Sequence, residues 1–162
     1  MIFLSQKKSL QAVLPQACLN QMLELMKTFD KVETGGILIG KYTSNNTIAE
    51  ITFVGGPPPD SKHGKYSFER GVIGLKEMLE SLWIDGYFYI GEWHTHPKAS
   101  PSPSGTDVIQ MIAISKAAQY NCPEPILIIL GGKSDNYNLF VGIFNKKGGY
   151  YQLDIQTETN LV

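Results

Sequence analysis

The chain has 162 residues, of which 43% are hydrophobic and 18% are charged, and its formal net charge is −1. This length and composition predict one folded domain over residues 1–162 and exclude a disordered chain. The near-neutral charge offers no basic surface for nucleic acid or an anionic membrane, so we expect neither as a partner. Cys18 and Cys122 are the only cysteines, and no signal-peptide pattern or bilayer-length apolar run is present, so we expect a cytoplasmic protein.

The first third of the chain predicts strands around one helix. Short strands at 2–4 and 12–14 precede an amphipathic helix over about 15–29, where apolar residues recur at helical spacing. An isoleucine-rich strand follows Glu33, and a turn at 45–46 leads into a returning strand over 47–54. The glycine- and proline-rich stretch 55–64 then predicts a loop.

The remainder predicts two more helices and four more strands. Ser67 could cap the second helix, and Ser104 opens the third after a proline-rich loop at 97–103. The apolar face predicted for the second helix consists of Val72, Leu75, Leu79, Leu82 and Trp83. Strands are predicted at 87–93, 126–130, 139–144 and 150–155, and Gly131-Gly132 indicates a turn or a close approach between backbones. Together these elements predict an α/β (α+β) fold, a three-layer domain with a central mixed β-sheet flanked by three helices.

Two histidines stand one residue apart at the end of the predicted strand 87–93. Side chains two residues apart in an extended chain point the same way, so His94 and His96 can face one point. Asp107 can return from the following helix start as a third, anionic ligand, and Ser104 is suited to stabilise an oxyanion beside the metal. Three protein ligands with one open position are typical of catalytic zinc. The pattern predicts a zinc hydrolase.

Simpler interpretations exist for each part of this pattern. A His-x-His pair alone is a weak signal, and Ser104-x-x-Asp107 is also an ordinary helix cap, although a cap that fixes both side chains is compatible with catalysis. The third histidine, His63, is expected to be a solvent-exposed loop residue, with a substrate contact as the alternative. A zinc nucleobase deaminase is disfavoured because Cys122-Pro123 reverses the order that such enzymes need.

A resemblance to a known family joins these residues. His-Thr-His-Pro at 94–97, followed by Ser104-x-x-Asp107 and preceded by Glu-Thr-Gly-Gly-Ile-Leu-Ile-Gly at 33–40, resembles the JAMM (JAB1/MPN/Mov34) metalloproteases. The resemblance implies an MPN/JAB (cytidine deaminase-like) fold and one zinc ion per chain. It implies the metal ligands His94, His96 and Asp107, the oxyanion donor Ser104 and the general base Glu33.

Two glutamates compete for the role of base. By its residue type and position alone, Glu33 would be an ordinary solvated side chain. Glu92 shares strand parity with His94 and His96, so it could orient a histidine N–H or be a plain polar strand residue. We favour Glu33 because a general base must face the open coordination position rather than line up behind the ligands.

The sequence around these residues narrows the resemblance to one branch. The segments 55–61, 68–70, 89–97 and 101–104 resemble small bacterial JAB peptidases of CBASS antiphage operons. That branch implies a cytoplasmic bacterial isopeptidase whose substrate is a cGAS-like nucleotidyltransferase conjugated through its C-terminus. A sister branch processes bacterial ubiquitin-like proteins, and a non-catalytic MPN scaffold is the third alternative, disfavoured by the complete ligand set.

The partner expected in either enzymatic branch is a protein with an extended C-terminal tail. We expect that tail to lie in a groove beside the sheet and to pair its backbone with an exposed edge. The stretch 55–68 is the predicted wall of this groove because proline-rich loops are stiff and lie over surfaces.

Overall fold

The computed structural model describes residues 1–7 and 9–156, which form eleven strands and three α-helices. The helices are α1 (Gln16–Thr28), α2 (Leu75–Ile84) and α3 (Gly105–Lys116), and a 3₁₀ turn follows at Ala118–Tyr120. The strands are β1 (Ile2–Leu4), β2 (Gln11–Val13), β3 (Gly35–Thr43), β4 (Ile48–Val54), β5 (Lys62–His63), β6 (Phe68–Glu69), β7 (Phe88–Pro97), β8 (Ile126–Lys133), β9 (Asn136–Phe144), β10 (Tyr150–Gln152) and β11 (Asp154–Ile155).

One large sheet organises the molecule. Its nine strands lie in the order β10-β9-β8-β7-β3-β4-β2-β1-β11, whereas β5 and β6 form a separate hairpin. The sheet is mixed, as predicted, because β2 runs parallel to β4 and β7 runs parallel to β8 while the other neighbours are antiparallel. Only Leu153 separates β10 from β11, so the two ends of the sheet lie side by side and the sheet curves back on itself. The strand predicted over 150–155 is thus confirmed as extended chain, but it is divided at Leu153 into two strands that pair at opposite ends of the sheet order.

Helices cover both faces of the sheet. The apolar face of α1, with Leu19, Met22 and Met26, packs into one core cluster, and Cys18 is buried there as well. On the other face, α3 contributes Met111 to a second cluster, against which α2 also packs. These two cores on opposite faces confirm the predicted three-layer arrangement around a central mixed sheet.

The predicted start of the second helix at Ser67 is wrong. The backbone N–H of Gly64 donates to the Ser67 carbonyl at 2.8 Å, so residues 64–67 form the turn of the β5–β6 hairpin. The helix begins at Leu75, after Gly74 with a φ of +82°, a left-handed conformation that favours glycine. A sequence with no serine or aspartate at this cap gives no side-chain signal of the helix start.

The predicted apolar face of α2 is confirmed only in part. Leu75, Leu79 and Leu82 pack against the core, but Val72 and Trp83 are 68% and 61% exposed. Val72 precedes the helix, and Trp83 instead contacts Phe88 edge to face, with ring centroids 5.3 Å apart. Among the described residues, no helix is long and apolar enough to span a membrane.

Gly131-Gly132 lies inside β8, so the predicted turn is wrong and the other prediction, a close approach between two backbones, is confirmed. A Cβ on Gly131 would collide with the backbone of Ala99 and Pro101, so glycine lets the proline-rich loop lie on β8. The Lys98 N–H also donates to the Gly132 carbonyl at 2.7 Å. The loop that follows the two histidines is thereby fixed against the neighbouring strand.

Candidate metal centre

The two histidines stand near the end of β7, a strand buried between β3 and β8. His94 and His96 point to the same side, and Thr95 between them is fully buried on the other side. Strand β3 approaches His94 closely because Gly35 lies opposite it, and a Cβ at Gly35 would collide with the Trp93 carbonyl oxygen. The sheet therefore orients His94 through pairing with both neighbouring strands and His96 through pairing with β8.

Asp107 completes a compact group with the two histidines. The distance between the Nε2 atoms of His94 and His96 is 3.0 Å. The carboxylate oxygens of Asp107 lie 3.4 Å from His94 Nε2 and 3.9 Å from His96 Nε2. Tetrahedral zinc with bonds of about 2.1 Å places neighbouring ligand atoms about 3.4 Å apart. The observed spacing and the two-nitrogen, one-oxygen donor set therefore fit zinc.

A hydrogen bond selects the tautomer of His96. Its Nδ1 lies 2.9 Å from the Ser100 carbonyl oxygen, which can only accept, so Nδ1 carries the proton when the ring is neutral. Burial lowers the pKa of His96, which favours the neutral ring. Neutral His96 consequently directs the lone pair of Nε2 at the shared point, as a metal ligand requires.

The start of α3 fixes Asp107 and Ser104 relative to each other. The Ser104 N–H donates to the Asp107 carboxylate at 2.6 Å, and the Asp107 N–H donates to Ser104 Oγ at 3.2 Å, which is a reciprocal capping box. Burial alone would raise the pKa of Asp107, but hydrogen bonding and charge from His94, with the bonds from Ser104, lower it to about 2. Asp107 is thus an anion at neutral pH, and Ser104 Oγ accepts within the cap while its O–H can still donate.

Glu33 lies beside this group and not in a strand. Its carboxylate is buried, with Oε1 at 3.9 Å from His96 Nε2, in the short connection between α1 and β3. Burial raises the pKa of Glu33 to about 7, with His94 acting to lower the pKa and Asp107 to raise it. A carboxyl group tuned to this range and adjacent to the metal ligands is suited to proton transfer near neutral pH.

The rival glutamate has another partner. Glu92 accepts from Arg70 Nε and from the Tyr89 hydroxyl, both at 2.8 Å, and the Arg70 and Glu92 side chains are 10% and 9% exposed. One oxygen is thereby held in a buried ion pair with Arg70 and the other by Tyr89, rather than by a histidine N–H. The structure places Glu92 in an anchor for the segment that precedes α2.

The expectation that His63 is a solvent-exposed loop residue is wrong. His63 is half-buried in β5, its ring stacks on Phe29 at 4.4 Å, and its Nδ1 lies 2.9 Å from the Glu33 carbonyl oxygen. Sequence reasoning missed this contact because its partner is a backbone atom 30 residues away. The residues that contact the ring, Phe29 after α1 and Phe68 in β6, are also distant in sequence and form no pattern with His63.

A cavity of about 370 Å³ opens over the candidate metal centre. The turn and second strand of the β5–β6 hairpin line one side, and the start of α3 lines the other. The end of the predicted wall segment, residues 65–68, therefore borders this cavity together with Glu33, His96, Ser104 and Asp107.

Comparison with known proteins agrees with this arrangement. A family model described as prokaryotic homologues of the JAB domain matches residues 15–141. A protein of Enterobacter hormaechei subsp. hoffmannii named CD-NTase/cGAS isopeptidase is 40% identical over 132 residues, which cover 81% of this chain and 73% of the relative. A probable metalloprotease, y4qB of Sinorhizobium fredii, is 31% identical over 129 residues, 76% of this chain and 77% of the relative.

A solved structure supports the fold. The solution structure of protein DSY2949 from Desulfitobacterium hafniense superposes with a TM-score of 0.58 over 87% of this chain and 88% of that one, at 16% sequence identity. Zinc is the metal that the matched family implies for the group formed by His94, His96 and Asp107.

Proposed function

This chain belongs to the prokaryotic homologues of the JAB domain, and we propose that it is a zinc-dependent isopeptidase that acts on a cGAS-like nucleotidyltransferase. The bond cleaved is the peptide or isopeptide bond after the C-terminus of that protein, formed when it is conjugated in a ubiquitin-like manner. One observation supports this chemistry most. His94 Nε2 lies within 4 Å of His96 Nε2 and of an Asp107 oxygen, and His96 Nε2 lies within 4 Å of oxygens of Asp107 and Glu33. The choice of substrate is supported by the name of the Enterobacter relative.

The proposed ligands are His94, His96 and Asp107. When bound there, zinc supplies a Lewis acid that acidifies water and polarises a carbonyl group. The anionic Asp107 and two neutral imidazoles leave the site with a net positive charge, which stabilises the nearby Glu33 as a carboxylate. The capping box keeps Asp107 in place without using the oxygen that faces His94.

The proposed base is Glu33. Its Oε1 accepts a proton from the attacking water, whose oxygen adds to the scissile carbonyl carbon. As the C–N bond breaks, Glu33 returns that proton to the leaving nitrogen, so the products are a carboxylate tail and a free amine. Ser104 Oγ donates a hydrogen bond to the oxygen that gains negative charge when water adds.

The substrate tail is proposed to enter through the cavity beneath the β5–β6 hairpin, where Glu33 and His96 lie on its floor. A cytoplasmic location is part of the proposal. The two buried cysteines are free thiols, which suits a reducing compartment.

A fusion substrate tests the proposal. The C-terminal tail of a cGAS-like nucleotidyltransferase is joined through a peptide bond to a fluorescent reporter and incubated with the zinc-loaded protein. We expect cleavage at the junction, identified by mass spectrometry, that stops when a chelator removes zinc.

Two outcomes would redirect or end the proposal. Cleavage only of a matched fusion that carries the tail of a bacterial ubiquitin-like protein would replace the nucleotidyltransferase by that class of substrate. Failure of the zinc-loaded protein to cleave either fusion, or their lysine-linked counterparts, would favour a non-catalytic scaffold.

A further inference from the structure

The backbone of Glu33 is held by the β5–β6 hairpin and not by the large sheet. The Glu33 N–H donates to the Gly64 carbonyl at 2.8 Å, and the Glu33 carbonyl accepts from His63 Nδ1 at 2.9 Å. Both polar groups of this one residue therefore bind consecutive residues of the same hairpin. Since Glu33 is buried, loss of either bond would leave a poorly solvated polar group.

The imidazole of His63 is itself held in place by aromatic rings. Phe29, at the end of α1, stacks on it with an interplanar angle of 10°, and Phe68 in β6 lies tilted at 5.3 Å between ring centroids. A carbonyl oxygen can only accept a hydrogen bond, so His63 Nδ1 carries the proton that faces Glu33. The two aromatic rings thus fix the orientation of the imidazole, and with it the direction in which the Nδ1–H donates.

The next residue along the chain is tied to the ligand strand. The Thr34 N–H donates to Thr95 Oγ1 at 3.1 Å, and the Thr95 N–H donates to the Thr34 carbonyl at 2.8 Å. Thr95 lies between His94 and His96, so the sheet fixes the peptide just after Glu33. The Glu33 carbonyl belongs to the same peptide group as the Thr34 N–H, so Thr95 and His63 hold this group from its two sides, while the Glu33 N–H is bound by Gly64 of the hairpin.

We propose that His63 is a positioning residue for the catalytic base: its N–H holds the Glu33 peptide so that the carboxylate faces the candidate metal centre. This inference rests on the proposed function, in which Glu33 moves the proton. His63 does not contact the substrate cavity or the metal ligands through any hydrogen bond of the described residues. It acts only through Glu33.

The hairpin that contains His63 also borders the substrate cavity. Residues 65–68 line that cavity, and directly after β6 the Arg70 guanidinium binds Glu92 on β7 at 2.8 Å. One short unit therefore supplies a cavity wall, is anchored to the ligand strand, and holds the base. Movement of this unit would displace Glu33 while leaving His94, His96 and Asp107 on their own supports.

Two substitutions separate the donor from the ring. In His63→Phe the stacking with Phe29 remains but the N–H donor is lost; in His63→Asn the side-chain amide N–H replaces Nδ1–H and the ring is lost. We expect kcat to fall about 10- to 100-fold in His63→Phe, because small misplacements of a catalytic group have effects of that size. KM and zinc content should stay near wild-type values, and His63→Asn should restore most of kcat.

A control in the same strand and a readout without catalysis complete the test. Lys62→Ala breaks only an exposed ion pair with Glu69 and should leave kcat unchanged. In the metal-free proteins, hydrogen exchange at the amide of Thr34, which belongs to the same peptide group as the Glu33 carbonyl, should be faster in His63→Phe than in wild type, His63→Asn or Lys62→Ala. This exchange result is independent of whether any conjugate is cleaved.

The outcomes distinguish this inference from the function on which it rests. If wild-type protein cleaves its substrate and His63→Phe does so with an unchanged kcat, the positioning role is wrong and the isopeptidase remains. If His63→Phe and His63→Asn lose kcat equally and both become unstable, the loss comes from a destabilised fold rather than from the missing donor, and the inference is also overturned. Inactive wild-type protein with faster exchange in His63→Phe would instead overturn the function and retain the contact.

Discussion

The metal-ligand half and the base half of the candidate site are supported by different parts of the fold. His94 and His96 stand on a strand paired on both sides, and Asp107 is held by a local capping box. Glu33 lies outside any strand, and a separate two-residue-per-strand hairpin holds its backbone. The ligand half is therefore built on a central strand and a helix cap, while the geometry of the base also depends on a small separate hairpin.

This difference separates metal binding from turnover. Damage to β7 or to the start of α3 should affect both, because those elements present the ligands. Damage to the hairpin should reduce turnover and spare zinc, because it reaches the site only through Glu33 and the cavity wall.

The largest effect is expected for loss of a ligand. His96→Ala removes one of the three proposed zinc ligands. Mutation of a residue that only hydrogen-bonds a ligand typically lowers metal affinity by about 10- to 100-fold, so we expect loss of a ligand itself to lower zinc affinity by more than about 100-fold. Competition with a chromophoric chelator measures this affinity. His63→Ala, which removes the histidine that is not a ligand, is the matched control and should retain wild-type affinity; equal losses in both variants would contradict the assigned ligand set.

The anchor of the hairpin should contribute strongly to stability. Arg70→Met leaves Glu92 buried without its ion-pair partner, and removing one member of such a pair costs about 3–5 kcal/mol. Lys62→Met breaks a pair whose side chains are 75% and 72% exposed, and should cost less than about 1 kcal/mol. Urea unfolding of both variants compares these values, and similar losses would show that the buried pair is not the anchor.

The base should also give the metal-free protein a pH-dependent stability. Burial raises the pKa of Glu33 from 4.5 to about 7, so between these values the folded chain keeps a proton that the unfolded chain has released. Stability from this group is therefore present at low pH and is lost as the pH rises towards about 7. Thermal unfolding of chelator-treated Glu33→Gln should show a gain over wild type that grows across this window; a constant difference would contradict the raised pKa.

The smallest effect is expected at the tip of the hairpin. Tyr66 is 79% exposed and borders the cavity, but the backbone hydrogen bonds of Glu33 in the described structure go to His63 and Gly64 and not to Tyr66. We expect Tyr66→Ala to raise KM a few-fold with kcat unchanged, which is the reverse of the pattern expected for His63→Phe. Steady-state kinetics on the fusion substrate would decide this, and a loss confined to kcat would show that the tip also positions the base.

The same comparison explains how much the sequence predicted. His94, His96, Ser104 and Asp107 lie within 14 residues, and strand parity with a capping signal is enough to bring them together. The mixed sheet and its three helices followed from hydrophobic periodicity, as in α1, whose apolar residues are buried where the pattern places them.

Long-range contacts account for what the sequence did not predict. Glu33 was assigned only by family resemblance. Its burial beside His96 requires the connection before β3, the β5–β6 hairpin and β7 to come together, and these elements are distant in sequence. The role of His63 could not be predicted because a side chain that binds a backbone carbonyl leaves no pattern in its partner. Ser67 was mistaken for a helix cap because a serine in a hairpin turn and a serine at a cap share the same local composition.

Zinc content and turnover, measured on the same preparations of wild type, Asp107→Asn and Glu33→Gln, test the central claim most directly. We predict about one zinc per chain and cleavage in wild type, loss of both in Asp107→Asn, and retained zinc with turnover reduced about 100- to 10,000-fold in Glu33→Gln. Wild-type turnover in zinc-loaded Glu33→Gln, or wild type that binds no zinc after reconstitution, would contradict the separation of ligands and base.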